Sequence, residues 1–320
     1  MKKTSAVCAA LLSLTALQGQ VFAQAQETKV TIAISGWTGF APLTLAKEAG
    51  IFKKNGLDVT IKKIPQKDRH LAIASGDVQC AATTVETWIA WNANGVATTQ
   101  IFQLDKSFGA DGMVVKNGIA KISDLKGKTI AASAPGTAPY FTMVWMLKKN
   151  GLTPKDVKIV TLEPQAAANA MLAGNADIDA ALTYEPYLSA IRSKPEAAKI
   201  IATTLDYPMV MDTFGCAPKF LAENAKAAQA LTDSYFEAIA LIQKDPKASF
   251  ATMGADVKQT AEQFEGSQKF LRWQDRAANQ KFFAGEHAAF SKEAADLLLE
   301  LGIIKNLPDM TKLADTRFLK

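Results

Sequence analysis

The chain has 320 residues, with 36 Lys and Arg against 31 Asp and Glu, 48% hydrophobic and 8% aromatic residues. Those figures exclude a disordered or fibrous chain and supply enough apolar material for one large or two medium domains. Only five residues are Arg, and the Lys are scattered with no basic stripe, which argues against a nucleic-acid partner.

Lys2 and Lys3 precede an apolar run from Ala6 to Leu17, and Val21-Phe22-Ala23 offers small residues at the −3 and −1 positions of a cleavage point. This predicts a signal peptide over 1–23, cut after Ala23, and an exported protein of a Gram-negative periplasm. Cys8 lies too early, with no apolar stretch ahead of it, to be a lipidation site. No internal stretch approaches the roughly 18 uncharged apolar residues of a membrane span.

A β-branched run makes 28–35 the first strand, followed by a Gly-rich turn and a helix that Pro42 opens. Residues 57–64 read as a strand, 70–75 as a short helix, 78–82 as a strand, 86–94 as a helix, and 99–104 and 113–115 as strands. The plan then repeats: strand 129–133, helix 140–150, strand 158–161, helix 165–173, strand 178–182, helix 186–193. Strands alternating with helices of this length predict βα units on parallel-rich sheets. Residues 217–303 are mostly helical in pattern and are expected to pack back on the first unit. Cys80 and Cys216 sit among apolar or small residues and read as buried thiols, with a single disulfide between them the alternative.

Two phrases occur twice, about 98 to 100 residues apart. TIAISGWTGFAP (31–42) returns as TIAASAPGTAPY (129–140), and GDVQCAATTVETW (76–88) as NADIDAALTYEPY (175–187). Each is a strand-to-helix junction, the place where ligands bind in open α/β sheets. If the two units face one another, four such turns line one cleft. The expected fold is therefore α/β, two-lobed, with two α/β domains joined by a two-crossover hinge near 109–115 and 207–216. One lobe is built from 24–110 and 211–320, the other from 111–210.

Those junctions, with LAIASGDVQCA, GADGMVVK, IAKISDLKGKTIA and the C-terminal TRFL, occur in an order that resembles the periplasmic solute-binding proteins of ABC importers, nitrate/sulfonate/taurine type. The resemblance implies a type II-like periplasmic-binding-protein fold. It also implies a monomer that closes around a small solute and delivers it to the transmembrane permease. It leaves the ligand open, because the family also holds binders of guanidine-, urea- and pyrimidine-like solutes.

From the residues, the candidate site is aromatic and acidic. Trp37 and Phe40 flank the first turn, Tyr140 its twin, and Tyr184 the fourth; aromatic walls cap a small molecule without demanding charge. Thr84 and Thr137 stand at helix starts, where capping is the competing role. Glu86 and Glu185 lie in the paired loops, Asp111 in GADG and Asp212 in MVMDTFG, and no Arg or Lys shares those loops. An acid in a first helical turn can simply answer the macrodipole. One acid in the cleft already disfavours a purely anionic ligand. A solute with nitrogen donors is expected, a taurine-like zwitterion first, with an amidine, urea or heterocycle as alternatives.

An enzyme is the competing class, since pyrimidine-precursor synthases share the fold family, but their dense cysteine motif is absent. His70 and His287 lie far from each other, and no metal or nucleophile motif occurs. No catalysis, cofactor or metal is expected. A periplasmic sensor would use the same cleft.

Overall fold

A computed structural model describes residues 27–320; the expected signal peptide and Cys8 lie outside the described residues. Among the described residues eleven strands form two sheets. They are β1 (Thr28–Ile34), β2 (Leu57–Lys63), β3 (Cys80–Thr84), β4 (Thr99–Ser107), β5 (Asp111–Val115), β6 (Thr129–Ala132), β7 (Lys158–Thr161), β8 (Ala180–Tyr184), β9 (Lys199–Thr203), β10 (Met211–Cys216) and β11 (Leu271–Trp273).

The first sheet runs β2-β1-β3-β10-β4-β11 and the second β7-β6-β8-β5-β9. In each, the first three strands are parallel and the remaining pairs antiparallel. The sequence repeat is thus a repeat of register. Ile32 and Ala33 face Cys80 and Ala81, and Ile130 and Ala131 face Ala180 and Ala181 in the same way.

The chain passes between sheets twice, at 108–110 and at 204–210. Both links are shorter than the expected hinges, because Asp111 and Asp212 already belong to strands. They are tied side by side. The Ser107 and Thr204 hydroxyls lie 2.6 Å apart, and the Gly109 N–H donates to Thr204 Oγ1 at 2.8 Å. Gly109 holds a φ of 98°, a left-handed conformation that needs glycine.

Three strands lay outside the expected elements: β9, β10 and the short β11. The C-terminal helices also divide their packing. Helices Pro218–Glu223, Ala225–Lys244, Pro246–Asp256 and Ala261–Gln268 bury Leu221, Leu231, Met253 and Phe264 in the core beneath the first sheet, as expected. Helix His287–Glu300 does not follow them. Its stripe of Phe290, Ala294, Leu297 and Leu298 joins Val85 and Ile89 of the first half and Val144 and Trp145 of the second in one apolar cluster. Glu300 then pairs with Lys148 across the two halves. The reason is helix Val85–Ala93, which is buried on opposite faces: Trp88 and Trp91 pack into the first half while Val85, Ile89 and Ala90 point the other way.

Cys80 and Cys216 are not free thiols. They are direct partners in the β3–β10 pairing, their Cα atoms are 3.9 Å apart, and they form a disulfide. Sequence separation gave no hint of this, because β10 returns to the first sheet only after the second sheet is complete. Removing a disulfide typically costs about 2–4 kcal/mol. The double substitution Cys80→Ser/Cys216→Ser is expected to lower the melting temperature by roughly 4–16 °C, at about 2–4 °C per kcal/mol. An unchanged melting temperature would mean that the thiols are not bonded.

Candidate ligand site

The carboxyl ends of β1, β3, β4 and β8 and the first residues of β5 and β10 meet at one place, because the antiparallel strands enter where the parallel ones leave. A cavity of about 30 Å³ lies there. From the first half it is lined by Ser35, Trp37 and Phe40 after β1, Gln66 and Arg69 on helix Gln66–Ser75, Thr83 and Thr84 on β3, and Asp212 on β10. The second half supplies Asp111, Tyr184 and Ala138, the first residue of helix Ala138–Lys149, and Val210 comes from the returning link.

Contacts across the cavity join the halves directly. The Gln66 amide donates to the Thr83 and Thr87 hydroxyls at 2.7 and 2.9 Å, and its Oε1 accepts the Ala138 N–H at 3.2 Å. The Trp37 and Tyr184 rings meet edge to face with centroids 5.4 Å apart, and the Thr38 N–H donates to the Glu185 carbonyl at 3.4 Å.

Trp37 is held from behind. Its indole N–H donates to both Asp105 oxygens, at 3.3 and 3.4 Å. A Cβ on Gly39 would come within 2.2 Å of Asp105 Oδ2 and of Trp37 Nε1, so only glycine lets the turn approach this closely. Asp105 is fully buried on β4, directly opposite Asp212 on β10.

The site therefore buries four carboxylates: Asp105, Asp111, Asp212 and, just behind Thr84, Glu86. Among the described residues none of the four makes an ion pair. Burial pushes Glu86 up to about 8, against the pull of the Thr84 hydroxyl, and Asp111 up to about 7, against the Ser107 hydroxyl. Burial, with the neighbouring carboxylates adding to it, also holds Asp105 and Asp212 well above the usual carboxylate range.

Arg69 is the nearby cation, and sequence reasoning missed it. It is 1% exposed. Its Nε donates to the Ile64 carbonyl at 2.8 Å and its Nη1 to the Ala82 carbonyl, while Nη2 has no partner among the described residues. Burial lowers its pKa to about 10, which leaves it charged at neutral pH.

Of the residues expected at the site, the structure brings together Trp37, Phe40, Thr84, Asp111, Tyr184 and Asp212 around the cavity. The four others stand off the cavity wall. Glu185 is fully buried and paired with Arg192, and it accepts the Ser189 N–H at 3.1 Å. Glu86 accepts the Thr84 hydroxyl. The Thr137 hydroxyl turns back to the Ala134 carbonyl at 2.7 Å. Tyr140 is half-buried against the second core. Trp37 and Phe40 are themselves core residues, 4% and 3% exposed, as well as cavity walls.

Gln66, Arg69, Ser35 and Asp105 were not anticipated. A signal for the first two existed. Pro65 stands at the N-cap, so the helix begins at Gln66 and Gln66 and Arg69 share a face at i, i+3. Asp105 had none, since a charged residue late in a strand reads as an exposed position.

The family described as "NMT1/THI5 like" matches residues 37–249. The chain belongs to the NMT1/THI5-like family. A taurine-binding periplasmic protein of Escherichia coli (strain K12) is 33% identical over 171 residues, 52% of this chain and 52% of that one. The chain spans about half the length of the curated relatives it matches. The alkanesulfonate-binding protein SsuA from Xanthomonas axonopodis pv. citri, solved bound to MOPS, superposes with a TM-score of 0.77 at 17% identity, covering 91% of this chain and all of that one. The periplasmic nitrate-binding protein NrtA from Synechocystis PCC 6803 gives 0.72 at 18% identity, over 92% and 87% of the two chains. These likenesses show that this NMT1/THI5-like chain has the two-lobed α/β periplasmic-binding-protein fold.

The buried acids of this family member bear on stability. A carboxyl whose folded pKa is raised keeps its proton where the unfolded chain has lost it, so its contribution falls as pH rises through the folded value. His70 and His287, both lowered by burial and the latter to about 4, act oppositely but only below about pH 6.5. The melting temperature of the ligand-free protein is therefore expected to fall between about pH 6.5 and 8, and to fall less in Asp111→Asn. A melting temperature that rises over that interval would show these carboxyls to be ionised already.

Proposed function

We propose that the chain is the extracytoplasmic solute-binding component of an ABC importer, capturing a small solute with a cationic nitrogen and passing it to a membrane permease. An aminosulfonate of the taurine type is the favoured ligand. The observation that carries this reading is a cavity, lined by both halves, in which Asp111 and Asp212 face an Arg69 that still has one donor to give. An ammonium group answers the two carboxylates, a sulfonate oxygen answers Arg69 Nη2, and Trp37, Phe40 and Tyr184 exclude water around the short linker. A bare anion such as nitrate would share a dry pocket with acids. The relative named for taurine binding supports the same choice.

On this reading residues 24–110 with 211–320 form one lobe and 111–210 the other, moving about the links at 108–110 and 204–210. A cavity of about 30 Å³ has room for about one water molecule. A solute of taurine's size therefore enters only with the lobes apart, and its contacts to both lobes then favour closure. The protein acts in the periplasm as a monomer, without cofactor or metal, and releases its ligand unchanged.

A thermal-shift screen tests this, because a ligand that binds only the native state stabilises it by about 2.7 kcal/mol at a hundred times its Kd. Taurine is expected to raise the melting temperature more than ethanesulfonate or nitrate, and Asp212→Asn to weaken taurine at least tenfold. Tyr140→Ala, outside the cavity, is expected to leave affinity within about twofold. A shift with nitrate and none with taurine would sink the aminosulfonate assignment.

A further inference from the structure

The buried carboxylates pose a question that the assignment of ligand class leaves open: what holds them before a ligand arrives. Asp105 and Asp212 are cross-strand neighbours on β4 and β10. Asp111 lines the same cavity from β5, and its Oδ2 has no partner among the described residues; neither has Oε2 of Glu86. The charged groups facing this cluster come from every element around it. Arg69 acts on Asp212, and Glu86 acts on Asp212 from helix Val85–Ala93. Glu185 acts on Asp111 from the end of β8. Glu163 and Tyr184 face Arg69, and Tyr235 lies beside Asp105. Arg69 is the one cation in that set, and two of its donors are committed to backbone carbonyls.

Buried carboxylates that outnumber their cation, with no ion pair among them, persist only where protons or an incoming cation neutralise them. We propose that solute capture here is an exchange: the ligand's cationic nitrogen replaces a proton on the Asp105–Asp111–Asp212 cluster, that proton leaves to solvent, and Asp105 is the positioning residue that sets the exchange without touching the ligand. The proposal rests on the reading of the cavity as an ammonium site. Asp105 is suited to this role by its place. It sits one layer behind the cavity wall, bonded to the Trp37 indole on one side and opposed by Asp212 on the other. Its charge state acts on Asp212, and through Asp212 on the ligand. The raised pKa values of Asp111, Asp105 and Asp212 agree with this arrangement.

Calorimetry with taurine, in phosphate and in Tris over pH 5.5–8.5, reads the exchange directly. The Kd is expected to tighten up to about tenfold per pH unit below about pH 7 and then level off. The two buffers are expected to give different enthalpies, corresponding to about one proton released. Asp105→Asn keeps an oxygen for the Trp37 indole while removing a charge. It is expected to shift the pH profile to lower pH and reduce the protons released, with a melting temperature near that of the parent. A taurine Kd that is flat with pH, with equal enthalpies in both buffers, overturns the exchange and leaves the importer reading standing. A parent-like pH profile in Asp105→Asn overturns the role given to Asp105 and reduces it to a holder of Trp37.

The carboxyl carbon shifts of aspartate in the ligand-free protein, followed by NMR against pH, test the cluster without any ligand. Asp111 is expected to titrate near pH 7, and Asp105 and Asp212 above the ordinary carboxylate range; full ionisation by pH 5 overturns the exchange outright. If the cluster titrates as expected but taurine fails to bind, the aminosulfonate reading falls alone. The same calorimetry with methylammonium then decides the exchange by the same criteria.

Discussion

The arrangement depends on an exchange of strands between the two sheets. β10, which follows the second sheet in the chain, lies between β3 and β4 of the first, and β5, which follows the first sheet, lies between β8 and β9 of the second. Both run against the parallel strands beside them, so their first residues come to the edge where those strands end. Asp111 and Asp212 are those positions or adjacent to them. A chain that merely passed from one lobe to the next would bring neither acid to the cavity. The same exchange sets the two links side by side, where the Ser107 and Thr204 hydroxyls join them.

The cavity shows how burial and pairing can be set against each other in one site. Glu185 is buried like the cavity acids, yet Arg192 and the Ser189 N–H meet it, and it behaves as a structural ion pair. Asp105, Asp111 and Asp212 are equally removed from water but lack such partners. Arg69, the cation placed to serve them, faces the cavity with one free donor and spends the others on backbone. Unpaired buried charge is thus gathered around the cavity and relieved at Glu185, which is the distribution expected of a site rather than of a core.

Much of this was legible in the sequence because the fold is stated twice. The repeated strand-to-helix phrases located the parallel strands and the turns that line the cavity, and six of the ten expected contact residues stand around it. What the repeat could not show were the features without a duplicate. β10 and β11 pair by return of the chain from a distance, and short strands with mixed patterns give no local signal. Cys80 and Cys216 meet only because of that return. Arg69 looks like any surface arginine in PQKDRHLAIAS until the strand beneath it is known. Tyr140, the formal twin of a residue in the first turn, went astray for the opposite reason: symmetry of sequence did not extend to the side chain's surroundings, and Tyr140 packs half-buried against the second core.

The topology also orders the making of the molecule. A polypeptide emerges N-terminus first, and domains tend to fold as they appear. The five strands of the second sheet are contiguous in the chain, whereas the first sheet has a gap between β3 and β4 until β10 has been synthesised. The sheet begun first is therefore the one closed last, and the covalent link at Cys216 can seal it only after every strand of its younger counterpart has been made.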